Sequence, residues 1–241
     1  MTARAEFIGR IRRETSKTPG LFPATVAERP ADPAAAVERV RRQLAERWPQ
    51  AIKRFQEEFE RLAGVFHVVP RMDQVPAVVG RIARERSVRR VICWSAAALG
   101  ADLGEGLRQE GLDAVPMPDG IVGEPEARRL RELSAAAEIG VTGADLAIAE
   151  TGTLALISGQ GRPRSTSLLP EYHVAVFDRR ALVETVEQAG VVLEAWHAEP
   201  ARSMSGGAIT FITGPSRTAD IELTLTRGVH GPREVHAIFI E

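Results

Sequence analysis

From Val65 onward, short runs of β-type residues alternate with stretches of helical periodicity, and this alternation narrows the possible folds more than any other feature. VFHVV (Val65–Val69) reads as a strand, Asp73–Glu85 as a helix with Pro76 in its first turn, and VRRVICW as a second strand. Leu99–Glu110 then reads as a helix, DAVPM as a strand and Glu126–Ala137 as a helix. LAIAE and TLALIS follow as strands separated by Thr151 and Gly152; HVAVF is another, and Asp178 is placed to cap a helix from Arg180 to about Trp196. AITFIT, IELTL and EVHAIFI complete the series. Such alternation predicts an α/β domain with a largely parallel sheet. The closing strands, joined by short Gly-rich turns, are expected to be antiparallel to one another or at the sheet edge.

The region before Val65 is helical. Phe7, Ile8 and Ile11 mark one face of an opening helix, and Ser16–Ala31 is a Pro- and Gly-rich linker or arm. Asp32-Pro33 is a helix start, since Asp accepts from free N–H groups and Pro suits the first helical position. Val37, Val40 and Leu44 continue at helical spacing. Pro49 is expected to interrupt, with a second helix carrying Ile52, Phe55, Phe59 and Leu62. The division expected is a helical extension over 1–63, packed on an α/β domain over 64–241. With 241 residues the chain is long enough to bury a sizeable core.

Composition excludes several classes. The formal net charge of -1 gives no field that favours nucleic acid or an anionic membrane. The Arg-rich stretch from Arg81 to Arg90 fits a solvated helix face followed by a strand. No apolar run reaches the roughly 18 residues of a membrane span. The charged N-terminal stretch does not fit a signal peptide, so a cytoplasmic location is expected. The single cysteine, Cys93, rules out an intrachain disulfide and a cysteine-ligated cluster; inside VICW it reads as a buried small hydrophobe. The five histidines show no paired ligand spacing, so no metal site is assigned; His173 and His230 with carboxylates are the alternative. GQGRPR begins like a dinucleotide fingerprint but has Arg164 where the third Gly is needed.

Two polar turns carry the candidate chemistry. In AIAETGTLALIS, Glu150 ends an apolar run and Gly152 allows a reversal, with Thr151 and Thr153 beside it. A carboxylate so placed can serve as base, nucleophile or ligand anchor, or simply stand in water at a hairpin corner. In FITGPSRTADIE, Gly214 and Pro215 bend the chain so that N–H groups from Ser216 to Thr218 can form an anion nest. Arg217 adds a bidentate donor, and Asp220 and Glu222 share a face of the following strand. The two turns are expected at neighbouring strand ends around one pocket, at the carboxyl side of the sheet. SGQGRPRSTSLLPEYH offers Arg162, Arg164, Ser165 and Thr166 on a Gly/Pro frame suited to a loop over a pocket. RGVHGP sets His230 between two glycines.

Taken together, TGADLAIAETGTLALISGQGRPRSTSLLPEYHVAVF and ITGPSRTADIELTLTRGVHGPREVHAIFI resemble the lactate-utilisation protein C family, the LUD domain, as does the opening RAEFIGRIRRE. The resemblance implies a three-layer α/β/α domain like the sugar-phosphate isomerase and coenzyme A transferase group, with strand-end loops forming a site. It implies a role in oxidising L-lactate to pyruvate beside iron–sulfur partner proteins, this chain having no cofactor of its own and binding an organic-acid or phosphate anion. The alternatives are a free-standing enzyme of coenzyme A transferase-like architecture with Glu150 as nucleophile, and an acid-sensing regulator.

Overall fold

The computed structural model describes residues 3–15, 30–198, 206–219 and 225–241. A short helix, α1 (Ala3–Thr15), precedes the long α2 (Pro33–Arg61). Asp32 caps α2, its Oδ1 accepting from the Ala35 N–H at 2.9 Å with Pro33 just inside. The chain then runs through β1 (Val65–Val69), α3 (Val75–Arg86), β2 (Arg90–Cys93), α4 (Ala96–Leu99), α5 (Gly104–Gln109), β3 (Asp113–Pro116), α6 (Glu124–Ala136) and β4 (Ile139–Gly143). A hairpin of β5 (Leu146–Ile148) and β6 (Thr153–Gly159) leads to α7 (Ser165–Leu168) and β7 (Tyr172–Asp178). Next come β8 (Leu182–Val183), α8 (Val186–Ala198), β9 (Gly206–Ile212), β10 (Arg217–Ala219), β11 (Leu225–Arg227) and β12 (Glu234–Ile240).

Six strands pair in the order β1-β12-β7-β4-β2-β3, every pair parallel. Crossovers of one hand put helices on both faces, giving a three-layer α/β/α fold. One face carries α3 and α5. The other carries α2, α6 and α7 together with a four-stranded sheet of order β8-β5-β6-β9. Both faces of the main sheet are covered, which is why its strands are apolar on both sides. On the α2 face, Phe55 meets Phe59 at 5.4 Å and Phe177 edge-on at 5.3 Å, and Trp48 meets Phe239 at 6.0 Å. Phe55 and Phe59 are fully buried. A second apolar cluster joins Val40 of α2 and Val192 of α8 to Leu146, Ile148, Ala155 and Val183.

Several sequence expectations change. Pro49 does not break the helix: α2 is continuous through it. The Pro removes one N–H, but Leu44, Ala51 and Phe55 are buried on either side and hold both halves to the core. The helix expected over Leu99–Glu110 is two: α4 ends at Gly100, and Asp102 Oδ1 accepts the Gly104 N–H at 2.8 Å where α5 starts. The helix expected from Arg180 begins at Val186; Asp178 instead takes the Arg180 N–H at 2.8 Å in a turn that leads into β8. Strand β4 was not anticipated. The last strand, β12, is neither antiparallel nor at an edge but lies between β1 and β7. Most of the expected arm over 16–31 and most of IELTL lie outside the described residues, and the division at 63/64 falls in the tight turn between α2 and β1.

Two histidines sit inside the sheet. His173 is fully buried, with Nε2 2.8 Å from Thr142 Oγ1, and burial reinforced by His236 pushes its pKa down to about 3. His236 is pushed down to about 4, chiefly by burial and then by the His67 ring 3.1 Å away, with Glu234 opposing. Below the ordinary histidine value of 6.5 the unfolded chain takes up protons that these rings refuse, so stability is complete above that value and falls as the pH drops towards 4. Thermal unfolding followed by circular dichroism should show this loss, with a limiting slope of about 1.4 kcal/mol per pH unit for each ring. His173→Asn should flatten the slope; an unchanged slope would place the acid sensitivity elsewhere.

Candidate functional site

Strand order reverses at β2. The chain leaves β2 for β3 on one side and returns across it to β4, which opens a crevice beyond the carboxyl ends of β2 and β4. Trp94 and Ser95, directly after β2, are buried there. The Trp94 N–H donates to Val141 O at 2.9 Å and its indole N–H to Pro163 O at 3.2 Å. The Ser95 N–H donates to Gly161 O at 2.9 Å, and its hydroxyl oxygen accepts from the Ala98 N–H at 3.3 Å. Hydrogen bonds from the Ser95 hydroxyl and the Ala97 N–H hold the Asp119 carboxyl below the usual carboxylate range. Gln160 Nε2 donates to Asp119 O at 2.7 Å, which ties the loop after β6 to the loop after β3.

Gly161 is the tightest point of this junction. Its φ is +69°, and a Cβ there would stand 2.4 Å from Ser95 Oγ. Next to it, the Arg162 guanidinium lies 5.1 Å from the centre of the Trp94 ring and donates to Asp145 Oδ1 at 2.7 and 3.1 Å. Asp145 Oδ2 in turn accepts the Ile157 N–H at 2.7 Å. Arg162 Nε is buried without a partner among the described residues. Outside this frame, between α6 and the 159–165 loop, is a cavity of about 400 Å³. Met117, Leu130 and Ile121 form one wall; Gln160, Ser165 and Arg131 supply polar groups.

The residues expected to form one anion site fall into two groups. The turns holding Thr151, Gly152, Thr153 and Gly214 do meet: Thr151 Oγ1 donates to Thr153 Oγ1 at 2.8 Å, and Thr153 Oγ1 is 2.9 Å from Thr213 Oγ1. They meet, however, over the last turn of α2, where β7 and β12 begin, and not at the carboxyl edge. Gly152 lies against the Phe59 backbone. Arg162 stands at the opposite end of β6, about 20 Å away at the rise of an extended strand.

Two donors of the GPSRT turn are used within the fold. The Ser216 N–H donates to Pro232 O at 2.8 Å, and Ser216 Oγ accepts from the His230 N–H at 3.3 Å. Arg217 donates to Leu62 O, closing the carbonyl end of α2, whose last C=O groups have no partner within the helix. In this structure the turn acts as a clamp on α2 through Arg217. Thr218 lies in β10, and Asp220 and Glu222 lie outside the described residues. Glu150 is exposed and accepts the Val186 N–H at 3.0 Å, at the start of α8, where a carboxylate complements the helix end. Sequence reasoning missed Ser95, Asp119 and Gln160. The Gly-bracketed Gln160 was the available signal, since such a loop can approach another backbone closely.

An all-parallel six-stranded sheet with helices on both faces places the chain in the class of three-layer α/β/α proteins. Residues 52–240 match the family model described as the LUD domain. The chain belongs to the LUD domain family. It is 36% identical over 172 residues to a protein of Halalkalibacterium halodurans named Lactate utilization protein C, covering 71% of each chain. Proteins of the same name from Shouchella clausii and an Exiguobacterium species are 37% and 40% identical, each over 48% of this chain and 49% of the relative. The crystal structure of a DUF162 family protein from Deinococcus radiodurans superposes with a TM-score of 0.52 and 21% identity, covering 80% of this chain and 98% of that one, and so shares the fold. Among the described residues no helix is long and apolar enough to cross a membrane.

The two groups should respond differently to substitution. Arg217→Ala should lower stability by about 1–2 kcal/mol in urea denaturation, through the lost cap on α2. Gly161→Ala should cost more than 1 kcal/mol, because left-handed backbone and the Ser95 clash act together. Equal, negligible losses in both variants would contradict this account of the two junctions.

Proposed function

We propose that this protein serves an L-lactate utilisation system, working in the cytoplasm beside iron–sulfur partner proteins that carry the electrons. The observation that carries this reading is the 36% identity, over 71% of the chain, to a relative named Lactate utilization protein C. The chain's own chemistry agrees with it. Burial pushes the Cys93 thiol up to about 12, so the one cysteine does not supply a thiolate at neutral pH.

We assign an anion-binding role, for an organic acid or a phosphate, to the carboxyl-edge crevice. Three supports favour it over the GPSRT turn: the position at the strand-order reversal, the cavity, and the prior use of the Arg217 and Ser216 donors inside the fold. In this reading Arg162 is a positioning residue. Paired with Asp145 and stacked on Trp94, it holds the loop that walls the cavity.

Deletion should impair growth on L-lactate and leave growth on pyruvate normal, and the purified chain alone should not oxidise lactate. Normal growth of the deletion strain on lactate, with no duplicate protein present, would remove the lactate assignment. Glu150→Gln should complement fully, because the amide oxygen can still accept from the Val186 N–H. Loss of growth in that variant, with fold and partner binding intact, would return Glu150 to the role of base or nucleophile.

A further inference from the structure

We infer that the cavity between α6 and the 159–165 loop takes an organic acid whose apolar body is longer than that of lactate. This rests on reading the crevice as the anion site and specifies what occupies it. The volume is about 400 Å³, within the range of roughly 300–1,000 Å³ that holds ligands of drug size. A three-carbon acid would leave most of it filled by water against an apolar wall. That wall is continuous: Met117 and Leu130 are buried at its base, with Val122 and Ala127 beside them. Ile121, on the same lining, is 92% exposed. A chain lying along this wall would cover Ile121 and withdraw its apolar surface from water.

Charge selects the other end of the ligand. Arg131 lines the cavity, and its partner among the described residues is Glu124 at 2.6 Å. Both side chains are well exposed, 63% and 70%, so the pair is weak and the guanidinium can turn to an incoming carboxylate. The first turn of α6 also carries Glu126 as well as Glu124. Glu126 is paired with Arg129 at 3.0 Å, so Arg131 is the cationic side chain on the lining, and a single guanidinium suits a single carboxylate. With Gln160 Nε2 engaged by Asp119 O, the Gln160 side-chain oxygen and the Ser165 hydroxyl are the groups on the polar side for a hydroxyl on the acid.

Titration calorimetry of the full chain with lactate, 2-hydroxybutyrate, 2-hydroxyhexanoate and 2-hydroxyoctanoate tests this. Affinity should rise roughly fourfold per added methylene until the cavity is filled. Ile121→Ser should reduce affinity for the eight-carbon acid severalfold and leave lactate unchanged. Arg131→Gln should weaken every acid about equally and leave the per-methylene increment intact. Both side chains are exposed, so neither variant threatens the fold. If lactate binds as tightly as the long acids, or if the increment is unaffected by Ile121→Ser, this inference falls and the anion site stands. If no acid binds at all, both fall, while the growth phenotype on lactate judges the pathway assignment separately.

Discussion

The packing of Phe55 and Phe59 between α2 and the parallel sheet is the contact on which the rest of the arrangement depends. Both rings are fully buried, and together with Trp48 they lay α2 lengthwise along β7 and β12. Burial of such rings contributes on the order of 2–3 kcal/mol each, enough to keep one helix continuous through Pro49. Once α2 is fixed, its carbonyl end becomes a platform. The ETGT and GPSRT turns close on that platform, and they carry the two long strands β6 and β9 with them. Strand β6 then delivers the GQGR loop to the far edge, where it meets Ser95 and Asp119. The crevice is thus placed by a helix that contributes no residue to its lining.

Most of the main sheet was legible because its strands are short apolar runs with β-branched residues between clear helical stretches. Strand β4 was not, and the reason lies in Gly140 and Gly143. Two glycines in five residues read as a loop. Gly140 is there because the Thr166 carbonyl passes so close that a Cβ would stand 1.8 Å from it. Close packing of α7 onto the sheet therefore erased the local signal of a central strand. The position of β12 was hidden for another reason. Pairing partners more than 160 residues away in sequence, as His236 is from Val65, leave no trace in local pattern.

The candidate site was half legible. The Gly/Pro frame around Arg162 stood out as a loop suited to covering a pocket, and Gly159, Gly161 and Pro163 do line the cavity, while Arg162 itself pairs with Asp145. The density of donors in GPSRT was also a true signal, but of a different need. A helix ending against irregular backbone requires partners for its last carbonyls, and the Arg217 guanidinium supplies one at Leu62 as readily as it would grip an anion. Composition cannot separate those two uses, because both ask for the same atoms in the same geometry. Ser95 and Asp119 carried no signal at all. Each is a single ordinary residue past the end of a strand, and only the strand order brings them together.

The interior position of β12 bears on how the molecule is made. Strand β1 has one neighbour in the sheet, and it is β12. During vectorial synthesis β1 and β7 emerge first and wait, each with an open edge and the slot between them empty, until residues 234–240 leave the ribosome. Contacts of such long sequence separation close slowly, and open parallel edges are prone to mispairing meanwhile. Helix α2, already complete, can shelter one face of those strands through Phe55 and Phe177 before their hydrogen bonds exist. The segment ahead of the sheet would then act as an internal chaperone for a slot that the chain fills last.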